Sequence, residues 1–162
     1  MPWQKATRGC PCGFLGDATR ECRCTPLQIS RYRDRLSGPL RDRLDLTVDV
    51  PALPPEALDD TATGEPSALV HGRVVLARAL QAARYAGEGV RSNAELPARL
   101  MSAHALPDRG GRGVLSKAVT RMGLSARGYD RVRKVARTIA DLAGDSEIGA
   151  DAVAEALQFR ML

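Results

Sequence analysis

Ser125-Ala-Arg-Gly-Tyr-Asp-Arg-Val-Arg-Lys-Val-Ala-Arg-Thr-Ile-Ala-Asp-Leu-Ala-Gly144 is the stretch that decides the fold class. A serine hydroxyl at its start can accept from the first free amides of a helix, and a glycine at its end can take the left-handed conformation that stops one. Between them Tyr129, Val132, Ala136, Ile139 and Leu142 recur at helical spacing and are assigned to one inward face. An amphipathic helix of this length needs neighbours of the same kind.

The flanking sequence supplies them. Ser67 is read as the cap of a helix to about Tyr85, with Val70, Val74, Ala77 and Leu80 on one face and Gly87 and Gly89 after it. A short segment opens at Asn93, is interrupted by Pro97 and ends near His104. Another runs over 111–122 with Leu115, Val119 and Met122, and a last one over about Ala150 to Arg160 buries Val153 and Leu157. Five helical segments with short connections predict a small bundle, and aromatic residues at 4% make its core aliphatic.

The N-terminal part reads differently. Thr25-Pro26 is a helix start, with Ile29, Tyr32, Arg33 and Leu36 following at helical spacing until Gly38-Pro39. Leu44, Leu46, Val48 and Val50 then alternate with Asp45, Thr47 and Asp49, the period of a half-buried strand. A lone strand leaves its backbone unpaired, so this one needs partners from elsewhere. Pro51 to Pro66 is rich in Pro, Asp, Thr and Gly and marks a linker. The expected organisation is therefore 1–50, a linker at 51–66, and a helical unit at 67–162.

Cys10-Pro-Cys12 and Cys22-Arg-Cys24 hold the chain's four cysteines. Two tight pairs joined by a loop with Gly13 and Gly16 can bring four thiolates around one tetrahedral ion, and Zn²⁺ suits an all-sulfur set. The usual zinc pair leaves two residues between ligands, where these leave one. No apolar run has the length of a signal peptide or membrane span, so the chain is expected to be cytoplasmic, where disulfides do not persist. A bound metal ranks first, reduced thiols second and disulfides last.

Charge is uneven. Residues 1–43 carry 9 Lys/Arg against 4 Asp/Glu, and residues 44–162 carry 15 against 15, so the whole excess of +5 lies around the cysteines. Such a bias suits nucleic acid or nucleotide phosphates, although a solvated arginine face is the commoner meaning. Arg127 stands in the first helical turn after Ser125, where the helix dipole disfavours a cation unless an anion is bound there. Its plain alternatives are stacking on Tyr129 or pairing with Asp130. Arg131 and Lys134 continue the Arg127 face, and Arg133 and Arg137 form a second row. Those rows could follow a nucleic-acid backbone, but a solvated face lying over the core is preferred. His71 and His104 are isolated and receive no role. Gly110-Gly-Arg-Gly-Val-Leu-Ser-Lys117 imitates a phosphate loop but lacks the glycine before its lysine.

Gly9-Cys-Pro-Cys-Gly13, Cys22-Arg-Cys24, Ser37-Gly-Pro-Leu-Arg-Asp-Arg-Leu-Asp-Leu46, the run from Leu124 to Leu142 and Glu155-Ala-Leu-Gln-Phe-Arg160 together resemble the C-terminal part of the magnesium-chelatase-like AAA+ ATPases. The competence-associated branch, implicated in ATP-driven branch migration of DNA, is the most similar. The resemblance runs from about Gly9, with Met1 to Thr7 outside it. It implies a mainly α chain: a helical-bundle AAA+ lid preceded by an incomplete end of the α/β core, comprising a cysteine knuckle, a helix and one strand.

No Gly-Lys-Ser/Thr phosphate loop and no apolar strand ending in Mg²⁺-holding acids occurs in the sequence. The chain is thus expected to be a C-terminal portion that hydrolyses no ATP alone, with ATP and Mg²⁺ relevant only beside a full AAA+ core. The resemblance makes Arg43 the arginine finger reaching a neighbouring subunit, and Arg127 the lid arginine touching the γ-phosphate from the opposite side. Without it, Arg43 would be a surface pair with Asp42 or Asp45. The implied partners are the missing ATPase half or other subunits of a hexameric ring, and DNA, with no membrane. The rival reading is a free-standing zinc-dependent nucleic-acid-binding module.

Overall fold

The computed structural model describes residues 9–17, 20–35, 43–48, 50 and 64–160. Two compact units emerge, one over Met1–Arg41 and Asp49–Asp60, the other over Asp42–Val48 and Thr61–Leu162. The first holds the cysteine loop and helix α1, Pro26–Arg33. Thr25 caps α1 through a reciprocal box: the Gln28 amide donates to Thr25 Oγ1 at 3.3 Å, and the Thr25 amide donates to Gln28 Oε1 at 2.9 Å. Thr25-Pro26 is thus the start that the sequence announces.

The second unit is all helical among the described residues. It contains α2 (Ser67–Arg84), two 3₁₀ turns at Asn93–Glu95 and Ala98–Leu100, α3 (Met101–His104), α4 (Arg109–Met122), α5 (Ala126–Ala143) and α6 (Ala150–Gln158). Helix α5 is central: α6 packs on it from one side, α2 and the Asn93 turn from another, while α4 packs on α6. Its Ser125 cap accepts from the Gly128 amide at 3.0 Å, and Gly144 ends it at φ 81°. Alanines 136, 140, 152 and 156, all essentially buried, let these helices approach closely around Val132, Val153, Leu115 and Leu157. Gly111 serves the same end, since a Cβ there would sit 2.9 Å from the Ile148 carbonyl oxygen.

The mainly α class holds, with differences in detail. Ser67 is the first helical residue rather than the cap, Pro66 preceding it without a side-chain bond. Val70, Val74, Leu80 and Leu142, assigned inward, are exposed. The expected strand is corrected: no strand occurs among the described residues, and Leu46 and Val48 face solvent. A strand needs a ladder partner, and this segment finds single anchors instead. The Thr47 amide donates to the Phe159 carbonyl at 2.9 Å, Arg160 Nη1 donates to the Leu44 carbonyl at 2.7 Å, and Arg131 pairs with Asp45. Most of the 51–66 stretch lies outside the described residues.

One polar cluster crosses the bundle. Asp141, 2% exposed, accepts from Arg84 at 2.5 and 2.9 Å, from Arg137 Nε at 3.0 Å and from Asn93 Nδ2 at 2.8 Å. Asn93 in turn accepts from the Tyr85 hydroxyl at 2.6 Å and donates to Thr138 Oγ1 at 3.0 Å. Burial alone would raise the Asp141 carboxyl, but the bonds from Arg84 and Asn93 and the charges of Arg137 and Arg84 outweigh it and hold it below its usual value. The same bond pushes Arg84 up, whereas burial pulls Arg137 down without discharging it.

Asp141→Ala leaves two guanidiniums without their carboxylate and is expected to cost about 3–5 kcal/mol in urea unfolding. A depressed folded-state pKa stabilises above the unfolded value and loses that contribution as pH falls through the folded one. The parent protein should therefore weaken steadily on acidification below about pH 4. Asp141→Asn, measured over the same range, should show a shallower acid limb, and an unchanged limb would place the titration elsewhere.

Candidate metal centre and arginine sites

The four cysteine sulfurs lie within 4.8 Å of one another, and none is in a disulfide. Cys10 to Cys12 is 3.4 Å, and Cys22 is 3.7 Å from both. Four sulfurs bonded to one tetrahedral ion at about 2.3 Å would be about 3.8 Å apart. The cluster is therefore close to the size such an ion requires. Gly13 and Gly16, at φ 85° and 81°, turn the chain within the loop that joins the two cysteine pairs.

Backbone amides face the sulfurs. The Phe14 amide is the chief cause that lowers Cys12 to about 6, outweighing its burial. Burial pushes Cys10 upward, but amides at Gly13 and Leu15 help bring it below its usual value. The Cys24 amide favours a Cys22 thiolate, yet burial and the Cys12 and Cys10 sulfurs push Cys22 up to about 12, and Cys24 is raised by the same causes despite the Cys12 amide. Four crowded sulfurs cannot all ionise together without a cation between them. That is the electrostatic signature of a set suited to a metal ion.

The arginines on α5 separate into different roles. Arg133 and Arg137, expected on a solvated or nucleic-acid-tracking row, are 7% and 3% exposed. Arg133 donates to the carbonyls of Ala105 at 2.7 Å and Met101 at 2.6 Å, while Arg137 donates to those of Ser146 at 2.8 Å and Asp145 at 2.6 Å. They close the frayed ends of α3 and α5 rather than reaching outward. Lys134 donates to the Ala94 carbonyl at 3.1 Å, and Arg131 takes Asp45. The second row, Arg133 and Arg137, is thus an internal fastening, while Arg131 and Lys134 are half-buried and bonded at the surface.

Arg127 stays exposed on the first turn of α5. The two neighbours that offered it a plain role belong to Arg133: its guanidinium lies 5.5 Å over the Tyr129 ring and 3.3 Å from Asp130. Arg43 is exposed as well, and Asp45, one of its plain partners, pairs with Arg131, while Asp42 lies outside the described residues. Arg160, the end of the family-like run from Glu155 and given no role, links the two. Its Nη1 holds the Leu44 carbonyl, and its Nη2 is 3.1 Å from where a Gly128 Cβ would stand. The backbone at Arg43–Leu44 and the first turn of α5 accordingly flank one guanidinium. His104, given no role, bonds Glu88 at 2.9 Å and packs edge-on to Tyr85.

Residues 64–160 match the family model described as magnesium chelatase, subunit ChlI C-terminal, and residues 4–58 match the companion magnesium chelatase, subunit ChlI. The chain belongs to this family. The match starts at residue 4, so the similarity extends further toward Met1 than the motifs indicate. Competence protein ComM of Haemophilus influenzae is 42% identical over 141 residues, covering 86% of this chain and 27% of the relative. An uncharacterised Mycobacterium tuberculosis protein, Rv2897c, is 40% identical over 155 residues, or 96% of this chain and 30% of the relative. YifB of Salmonella typhimurium is 38% identical over 141 residues. The chain thus spans under a third of the length of these relatives.

If Arg133 fastens α3, then Arg133→Ala strands the buried Ala105 carbonyl, leaves that of Met101 with the Ala105 amide alone, and should cost about 1–3 kcal/mol. Arg112→Ala, at an exposed position on α4, should cost less than about 0.5 kcal/mol. Parallel denaturant titrations of the two variants measure the contrast.

Proposed function

We propose that this chain works as the C-terminal lid and subunit-contact module of a magnesium-chelatase-like AAA+ ATPase, presenting Arg43 and Arg127 to a nucleotide held by another ATPase part. The observation carrying this reading is the placement of both residues about Arg160 at one end of α5. Donors fixed in advance around a developing negative charge stabilise it without reorganising, which is the largest contribution a protein makes to phosphoryl transfer. Here the Arg160 tie orients the segment bearing Arg43 against the helix terminus bearing Arg127. In this reading both arginines approach one phosphate from the same subunit; the arrangement implied by the resemblance, with Arg43 and Arg127 on opposite sides of the site, is the alternative that the mixed-ring experiment below separates from it. Phosphate loop and Mg²⁺ ligands come from the other part, so hydrolysis is a property of the assembly.

In this reading the cysteine set holds Zn²⁺, whose charge neutralises the crowded thiolates and fixes the loop that leads into α1. The residues holding it are Cys10, Cys12, Cys22 and Cys24, all within reach of one ion. DNA is the substrate proposed for the assembled motor. Arg133 and Arg137 of α5 are buried and Arg131 and Lys134 are already bonded, so direct contact is assigned to the exposed arginines 20, 23, 31, 33 and 35 of the cysteine unit. The rival reading as a free-standing nucleic-acid-binding module would lack Arg133 and Arg137, which are buried.

Chain purified without chelator should contain one zinc per molecule, and Cys12→Ser should lose it. Four freely titratable thiols and no metal would refute the zinc assignment. The isolated chain should release no phosphate from ATP above background. When it is joined to the ATPase portion of a relative, Arg43→Ala should lower turnover on the order of 10³-fold with little change in nucleotide binding. Arg127→Ala should lower turnover comparably if both face one phosphate. Activity of a ring mixing Arg43→Ala, Arg127→Ala double variants with phosphate-loop-dead subunits, recovered where intact halves meet, is the result expected of donation between subunits.

A further inference from the structure

Helix α2 is apolar nearly all round, and most of that surface is uncovered. Leu69, Leu76 and Leu80 share one side by helical spacing, and Val70, Val74 and Ala77 another. Leu69, Leu76 and Val75 are 60%, 69% and 49% exposed, and only Ala77 and Gln81 are buried. A helix hydrophobic on several sides belongs inside a larger body. Beside it a cavity of about 250 Å³ opens between α2 and α5, walled by Val74, Ala77 and Leu142, with Arg78 at its lining. Three of its polar residues are engaged with one another: Gln81 Oε1 accepts from the Asn93 amide at 3.3 Å, and Asn93 donates to Thr138, which leaves Arg78 as the charged group at its lining. The space therefore suits one large apolar side chain rather than a polar ligand.

Charge says what carries that side chain. Every ionisable group on α2 is basic: His71, Arg73, Arg78 and Arg84. Glu65 neutralises Arg73 through two bonds of 2.6 and 2.7 Å, and Asp141 neutralises Arg84. Arg78 donates to a neutral amide oxygen, Gln81 Oε1, at 3.4 Å. Bonds from Arg91 hold the Glu95 carboxyl below its usual value, with help from the charge of Arg78, but they leave Arg78 without a bonded carboxylate among the described residues. A second copy laid against this face would bring basic residues to basic residues with no carboxylate on either α2.

We propose that α2 and the adjoining α5 cavity dock an amphipathic helix of a partner protein, one that seats an apolar anchor between Val74 and Leu142 and sets a carboxylate against Arg78. This inference goes beyond the nucleotide role, since it concerns a different face and needs neither Arg43 nor Arg127. The partner is recognised by leucine-type residues at three- and four-residue spacing, flanked by Glu or Asp. Burial of the apolar stripe supplies affinity, and the carboxylate supplies orientation and selectivity against basic partners.

Two fluorescent helical peptides with identical leucine stripes, one flanked by glutamates and one by lysines, test this against the full chain by polarisation. The glutamate peptide should bind at least ten-fold more tightly than the lysine peptide. Arg78→Glu should reverse that preference, and Val74→Asp should abolish binding with thermal unfolding unchanged, both sites being exposed. Binding of neither peptide, or equal binding of both, overturns the proposal. Sedimentation of the chain as a dimer that Val74→Asp dissociates would overturn it too, in favour of a second copy. Failure here leaves the zinc and arginine assignments standing, because none of the probes touches them.

Discussion

A single buried carboxylate holds the helical unit in register. Asp141 touches a guanidinium from α2, another from its own helix and the amide of the Asn93 turn, so three pieces of chain distant in sequence meet on two oxygens. Such an arrangement is not a cheap source of stability, since removing three charges from water costs much of what their attraction returns. Its effect is on uniqueness. Each member is satisfied only when the others are in place, so a shifted helix leaves a buried charge unpaired, and the shift is penalised more steeply than slippage in an aliphatic core would be. Around that fixed point the alanine-rich contacts of α5 and α6 can be close without being ambiguous.

The same economy divides the arginines of α5. Arg137 belongs to the carboxylate and to the carbonyls after the helix, and Arg133 to the carbonyls around α3, so the middle of the helix turns its cations inward. Arg133 also takes Tyr129 and Asp130. Those are the residues that would otherwise have given Arg127 an ordinary surface role. A cation left exposed at the positive end of a helix, with its local partners committed elsewhere, is in an unfavourable place unless something negative joins it.

Much of this was legible in the sequence, and the part that was not has a common cause. The Ser125 cap, the Gly144 stop, the Thr25-Pro26 start and the cysteine spacing are local signals, complete within a few residues, and each is found where it was read. Periodicity shows which residues share a face but not what that face meets. Arg133 and Arg137 looked solvated because their acceptors are carbonyls rather than acids, and for Arg133 those lie 28 and 32 residues away. Leu142 and Val74 looked internal because the apolar stripe continues past the point where the bundle stops covering it. The alternation from Leu44 to Val50 was a sound strand pattern without a second strand, and backbone groups that lack a ladder accept other anchors. Arg160, quoted only as the end of a family-like run, received no role because the carbonyl it holds, that of Leu44, lies 116 residues away.

Two features of the helical unit point outward independently. Helix α2 exposes aliphatic side chains on several sides, which costs solubility and contributes nothing to this unit's own packing. At the other end of the unit Arg160 ties the Leu44 carbonyl, beside the exposed Arg43, and lies against Gly128, beside the exposed Arg127. A bundle selected only to fold would bury the first and disperse the second. Both become economical when the unit is one surface of a larger assembly, with an apolar partner along α2 and a phosphate at the head of α5. The chain's coverage of under a third of its relatives supplies the room for such a body. The network at Asp141 joins these two regions physically, since its carboxylate bonds Arg84 of α2 from within α5, the helix whose first turn bears Arg127.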